Sequence, residues 1–259
     1  MKYFSAFILL LFCFTASSEV NSQTSNREFY ELRLYHIADE GQENRMDDYL
    51  EHALLPALQR VGVEHTGVFK PVDNDSLYGK RIYLLIPYDS AEEYLKISQD
   101  LQNDPEFLAT AEGFLNSAHD NPPYKRMETI LLNAFEGMPQ HQKTTLKNST
   151  SERIYELRSY ESATENLFRN KVQMFNEGEV DIFKDLGFNP VFFGEVVAGS
   201  RMPNLMYMTS HANPEAMQEN WSNFGKDEKW QEMSGMEEYQ NNVSHIDIVL
   251  LHATDYSGI

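Results

Sequence analysis

The chain has 259 residues with 40 Asp and Glu against 21 Lys and Arg, a formal charge of −19 and a pI near 4.7. Clustered cations, which phosphate contacts require, are not expected on such a surface, so nucleic acid and anionic membrane surfaces are excluded as expected partners. The single cysteine, Cys13, lies in the N-terminal segment, so disulfides and thiolate chemistry are excluded for everything after it.

Taken in chain order, Lys2, the apolar run Phe4 to Phe14 and the small residues Ala16, Ser17 and Ser18 predict a secretory signal peptide over residues 1–18. That run is too short to cross a bilayer as a helix. Phe12 before Cys13 does not suit lipid attachment. The expected destination is periplasmic or secreted, with no membrane contact once the signal is cleaved.

Tyr30, Leu32 and Leu34 alternate with Glu31, Arg33 and Tyr35, the period of a strand. Leu50, Ala53, Leu54, Ala57, Leu58 and Val61 then fall on one stripe at helical spacing, with a kink expected at Pro56 and a left-handed cap at Gly62. Strands are predicted at Gly67 to Val72 and Ile82 to Ile86, a helix after Asp89 and Ser90, a short helix from Pro105, and a fourth strand at Met127 to Leu132. Residues 137–151 are polar and aperiodic and read as a linker.

The order then repeats. FYELRLY at Phe29 to Tyr35 returns as IYELRSY at Ile154 to Tyr160, and the same offset carries the match onward to Gly62 and Gly187. Strands follow at Val191 to Val197, Leu205 to Thr209 and His245 to Leu251, with a helix after Asn213. Repetition over this length is the strongest fold signal in the chain. The predicted class is α+β, two tandem ferredoxin-like βαββαβ units whose antiparallel sheets pack face to face as an intrachain barrel. Such a chain is an internal pseudo-dimer, and further homo-oligomerisation stays open.

The YELR-x-Y strand, the Pro56 helix ending in Gly62, and the DPEF and DEKW elements at Asp104 and Asp227 resemble the NIPSNAP domain of the dimeric α/β-barrel group. The resemblance covers 27–136 and 152–256 as two domains. It implies the fold; relatives in the barrel group include cofactor-free oxygenases, isomerases and haem-binding enzymes, so it does not choose a reaction.

If the apolar residues of the first strand face the helices, Glu31, Arg33 and Tyr35, with Glu156, Arg158 and Tyr160, point into the space between the sheets. Charges there must be paired or wet. On one reading Arg33 bridges to Glu31 or Glu128, and Arg158 to Glu156 or Asp247. On the other, the arginines anchor an anionic or hydroxylated ligand with the tyrosines as partners, and His65 and His211 reach the cavity edge. The eight histidines form no HxH, HxxxH or HExxH pattern, so no metal and no cofactor is expected from local motifs. The expected function is an exported binder of a small organic molecule held between the sheets. A cofactor-independent isomerase or oxygenase and a structural interaction module are the alternatives.

Overall fold

The computed structural model describes residues 27–259, so the signal segment read at 1–18 lies outside the described residues. Strand β1 (Phe29–His36) leads into helix α1 (Glu40–Tyr49), which passes through a single π turn (Leu50–Leu54) into α2 (Leu55–Arg60). Strands β2 (Gly67–Pro71) and β3 (Arg81–Tyr88) follow, then α3 (Ala91–Asn103), α4 (Pro105–Thr110), α5 (Glu112–Leu115) and β4 (Arg126–Ala134). The second unit repeats this with β5 (Ile154–Glu161), α6 (Glu165–Met174), a π turn (Phe175–Glu179), α7 (Val180–Asp185), β6 (Pro190–Ala198), β7 (Asn204–His211), α8 (Pro214–Phe224), α9 (Glu228–Gly235) and β8 (His245–Ala253).

Local chemistry explains the starts of the helices. Asp39, Ser90, Thr164 and Asn213 each accept a backbone N–H of the first turn, and Asp104 and Asp227 cap α4 and α9 in the same way. The first helix begins at Glu40, well before the apolar stripe, because Asp39 caps a first turn that is almost wholly polar. Both π turns occupy equivalent places in the repeat, although only the first is followed by a proline. The widened turn therefore belongs to the packing of the unit, and Pro56 settles into the start of α2 instead of kinking a continuous helix. Gly62 and Gly187 end the two helices at φ +97 and +78, left-handed values that favour glycine.

The eight strands form one closed barrel in the order β1-β3-β2-β8-β5-β7-β6-β4. Each half contributes the ferredoxin-like order, and the halves join at two antiparallel seams. At one, β2 pairs with β8 through Phe69↔Ala253 and Pro71↔Leu251; at the other, β4 pairs with β6 across a bulge beside Leu132. Closure leaves no exposed strand edge among the described residues. Residues 137–151 cross the molecule pinned to both halves, since Glu28 donates its amide to the Pro139 carbonyl (2.9 Å) and Gln142 donates to Val191 (2.9 Å).

Three apolar clusters result. One fills the barrel around Tyr30, Leu32, Phe69, Tyr155, Phe192 and Met208. The other two lie between the sheet and its helices, around Tyr35, Leu50 and Ile86 in the first half and around Phe175, Phe183 and Tyr207 in the second. β1 and β5 are thus covered on both faces, the barrel lumen on one and helices on the other, whereas β8 leaves Ile246 and Ile248 exposed.

Candidate functional site

That double coverage reverses the expected orientation of the first strands. Tyr30, Leu32 and Leu34, with Tyr155 and Leu157, face the lumen, whereas Glu31, Arg33 and Tyr35, with Glu156, Arg158 and Tyr160, face the helices. The polar face had been expected inside the barrel because an apolar row normally meets helices. Here the lumen takes the apolar row, which joins Phe69, Phe192 and Met208 there.

In the first half the Arg33 guanidinium donates to Glu31, with Nη2 2.9 Å from Oε2, and the Tyr88 hydroxyl donates to the same carboxylate at 3.1 Å. Burial works against the Arg33 charge, but Glu31 and the surrounding tyrosine hydroxyls hold its pKa well above the ordinary value. Tyr35 packs edge-on against Tyr124 at 5.4 Å, and burial raises its hydroxyl pKa.

The second half carries a denser version. Arg158 Nε donates to Glu156 (2.8 Å) and Nη1 to the Tyr160 hydroxyl (3.1 Å), which meets the Tyr207 hydroxyl at 2.8 Å. The Trp221 indole N–H donates to the free oxygen of Glu156 (2.7 Å), and its ring lies under the guanidinium, 3.8 Å from centroid to Cζ. His211 stands where Tyr88 stands in the first half, its Nε2 3.3 Å from Glu156 and its Nδ1 3.2 Å from the Asn220 amide. An Nδ1 that accepts from Asn220 leaves the proton on Nε2, facing the carboxylate. Burial would raise the Glu156 pKa, but His211, Arg158 and Trp221 together hold it below its ordinary value. Four of the sequence-selected residues, Glu156, Arg158, Tyr160 and His211, are therefore brought together, with Trp221 and Tyr207 as members that no motif revealed. His65 lies elsewhere, in a crevice beside His141.

The room lies at the barrel mouth. A cavity of about 330 Å³ opens where β1 ends and β3 begins. Its floor is apolar, with Leu34, Ile130, Leu157, Met206 and Val249, and its rim is polar, with His36, Arg81, Tyr83, Glu128, Asn204 and Arg201. Six of the eight strands, all but β2 and β6, supply residues of the lumen parity, so this rim was within reach of the alternation once the right face had been chosen. His36 Nε2 contacts the Glu128 carboxylate, and Arg201 is paired to Asp247. Arg81 forms no ion pair among the described residues; its guanidinium donates to the Lys80 carbonyl at 3.0 Å. Burial, partly opposed by Arg81, pushes the Tyr83 pKa up to about 12, so the hydroxyl keeps its proton at neutral pH. Chemically, the rim offers a guanidinium, a phenol donor and an imidazole–carboxylate pair above an oily floor.

Residues 155–258 match the NIPSNAP family model. Over these residues the second half of this chain is similar to a NIPSNAP domain. The first half repeats the YELR-x-Y strand motif on the same topology, and the two units together close one barrel. Among solved structures, a candidate monooxygenase from Lactobacillus acidophilus NCFM superposes with a TM-score of 0.58 at 11% identity, over 88% of this chain and 94% of that one. A second candidate monooxygenase, from Fusobacterium nucleatum, gives 0.59 at 6% identity, over 88% and 93%. An anthrone oxidase-like protein gives 0.51 at 7% identity, over 89% and 92%. Identities this low speak to the barrel and not to a shared reaction. No curated protein matches the chain.

Proposed function

We propose that this protein binds a small anionic or hydroxylated organic molecule in the barrel mouth, with Arg81 as anchor and Tyr83 as hydrogen-bond donor. The observation that carries the reading is an arginine without an ion-pair partner among the described residues, on the rim of a cavity of about 330 Å³. That volume is at the lower end of small-molecule sites, and an apolar floor with a few convergent polar groups is their usual make-up. The ligand lies between the two sheets, as expected from the sequence, but on residues of the opposite strand face.

A thermal-shift screen of small carboxylates and sugar acids tests this. At least one compound is expected to raise Tm, with affinity falling about 10- to 100-fold in Arg81→Ala, the loss typical of a hydrogen bond to a charged group. The surface variant Arg60→Ala should bind normally. A screen in which nothing binds, or in which Arg81→Ala binds as well as the parent, would sink the assignment.

A second reading, a cofactor-independent isomerase, is favoured by one observation, the His36–Glu128 contact on the same rim. A carboxylate-paired imidazole beside a bound carbonyl compound is the arrangement a general base needs. Export belongs to the proposal too, and rests on the apolar run at Phe4 to Phe14. Protein recovered from the producing organism should begin near residue 19; a retained Met1 would remove export from the reading.

A further inference from the structure

At the far end of the barrel from the mouth, where β1 begins and β3 ends, a crevice of about 160 Å³ is walled by His65, His141, Glu28, Glu64, Asp89 and Glu93. His141 comes from the linker segment and His65 from the approach to β2, so their proximity is invisible as sequence spacing. The two imidazole rings lie 5.3 Å apart between centroids, tilted by 54°. The Glu28 carboxylate grips His141 from behind. Its oxygens lie 3.0 and 2.9 Å from Nδ1, and one also accepts the His141 amide at 2.6 Å. His65 Nδ1 is buried without a hydrogen-bond partner.

We propose that His65 and His141 are ligands of a divalent transition-metal ion, Zn²⁺ or Cu²⁺, with Glu28 as the orienting carboxylate behind His141 and solvent completing the coordination. The ring spacing fits. With a metal–nitrogen bond of about 2.1 Å and a tetrahedral angle, two imidazoles on one ion stand about 5 Å apart between centroids. The Glu28–His141 contact is the arrangement that fixes a ligating imidazole, since a carboxylate on Nδ1 directs Nε2 at the metal and raises its basicity. Imidazole donors suit the borderline ions over Ca²⁺ or Mg²⁺. The carboxylates of Glu28, Glu64, Asp89 and Glu93 outnumber the cation of Lys143 and make the crevice attractive to a positive ion. Among the described residues the three-residue group whose ligand atoms lie within 4.8 Å of one another is Glu161, His245 and Asp247, but Arg201 already sits on both of its carboxylates, whereas His65 and His141 form a two-imidazole pair. A metal in the His65–His141 crevice would clamp the linker to the first half.

Calorimetric titration of the metal-stripped mature protein with Zn²⁺ tests the site, with Cu²⁺ followed by electron paramagnetic resonance to count coupled nitrogens. The expected result is one saturable site, a raised Tm with metal, and nitrogen coupling from two imidazoles. His65→Gln and His141→Gln should each weaken binding more than tenfold, and Glu28→Gln by about 10- to 100-fold, the usual loss for an orienting carboxylate. His245→Ala with Asp247→Ala should leave binding unchanged. His65→Gln carries the test if His141→Gln loosens the linker, since His65 Nδ1 makes no hydrogen bond that the substitution would break. Absence of binding to the parent protein, or binding indifferent to His65→Gln, overturns the assignment.

Discussion

Replacing Glu179 by alanine is expected to destabilise the protein by about 3–5 kcal/mol, the cost of leaving one partner of a buried ion pair alone. Lys171 and Glu179 lie 2.7 Å apart with side chains 5% and 3% exposed, packed under the second π turn. Burial raises the Glu179 pKa against the opposing pull of Lys171 and Arg158, and the ammonium stands 4.7 Å from the centre of the Phe175 ring. The duplicated half supplies the control, because the equivalent positions there are Met46 and Leu54, both buried and apolar. The double replacement Lys171→Met with Glu179→Leu should therefore be neutral, or more stable by about 1–4 kcal/mol, since well-packed hydrophobic residues of similar volume escape the desolvation penalty. Urea unfolding at an unchanged m-value reads both outcomes. A single variant within about 1 kcal/mol of the parent would show that the pair is wet, and not the dry contact described above.

Glu156→Ala should rank beside it, at about 3–5 kcal/mol, because one deletion strands the Arg158 guanidinium, the Trp221 indole N–H and the proton on His211 together. The corresponding Glu31→Ala should cost less. Among the described residues Glu31 serves Arg33 and Tyr88 alone, so its loss strands fewer partners. The same cluster has a pH signature. The Glu156 pKa is depressed below the ordinary carboxyl value of 4.5 in the folded state. Its contribution to stability is thus fully present above pH 4.5 and is lost as the pH falls through the depressed value, where the folded protein finally takes up the proton. The stability gap between the parent and Glu156→Gln, measured by urea unfolding at pH 7, 4 and 3, should shrink toward the acid end. A gap that stays constant would mean that the carboxylate carries no net charge-dependent stabilisation.

The two copies of YELR-x-Y, their matched helices and their glycine caps made the architecture readable before any coordinates. A repeat of whole βαββαβ units leaves two sheets, and the edges of two sheets can be satisfied by each other. Pairing of Arg33 with Glu31 and of Arg158 with Glu156 was also legible, since residues two apart on a strand share a face and opposite charges there will meet. The orientation of that face was not. Alternation separates a strand into two rows without saying which neighbour each row meets, and in a barrel wrapped by helices both rows are buried. Tyr30, Leu32 and Leu34 form the apolar row and went to the lumen. The row with Glu31, Arg33 and Tyr35 went beneath the helices, where Tyr88 and Tyr124 give its charges and hydroxyls company.

By itself the sequence determined a doubled unit, its strand order and the charge partners within a strand, because all three follow from periodicity and short-range geometry. Only the tertiary structure decided that the mouth is rimmed by His36, Arg81 and Tyr83, that Trp221 and His211 converge on Glu156, and that His65 meets His141. Each of these is a contact between elements far apart in the chain, set by sheet closure and helix packing, and no local pattern encodes it.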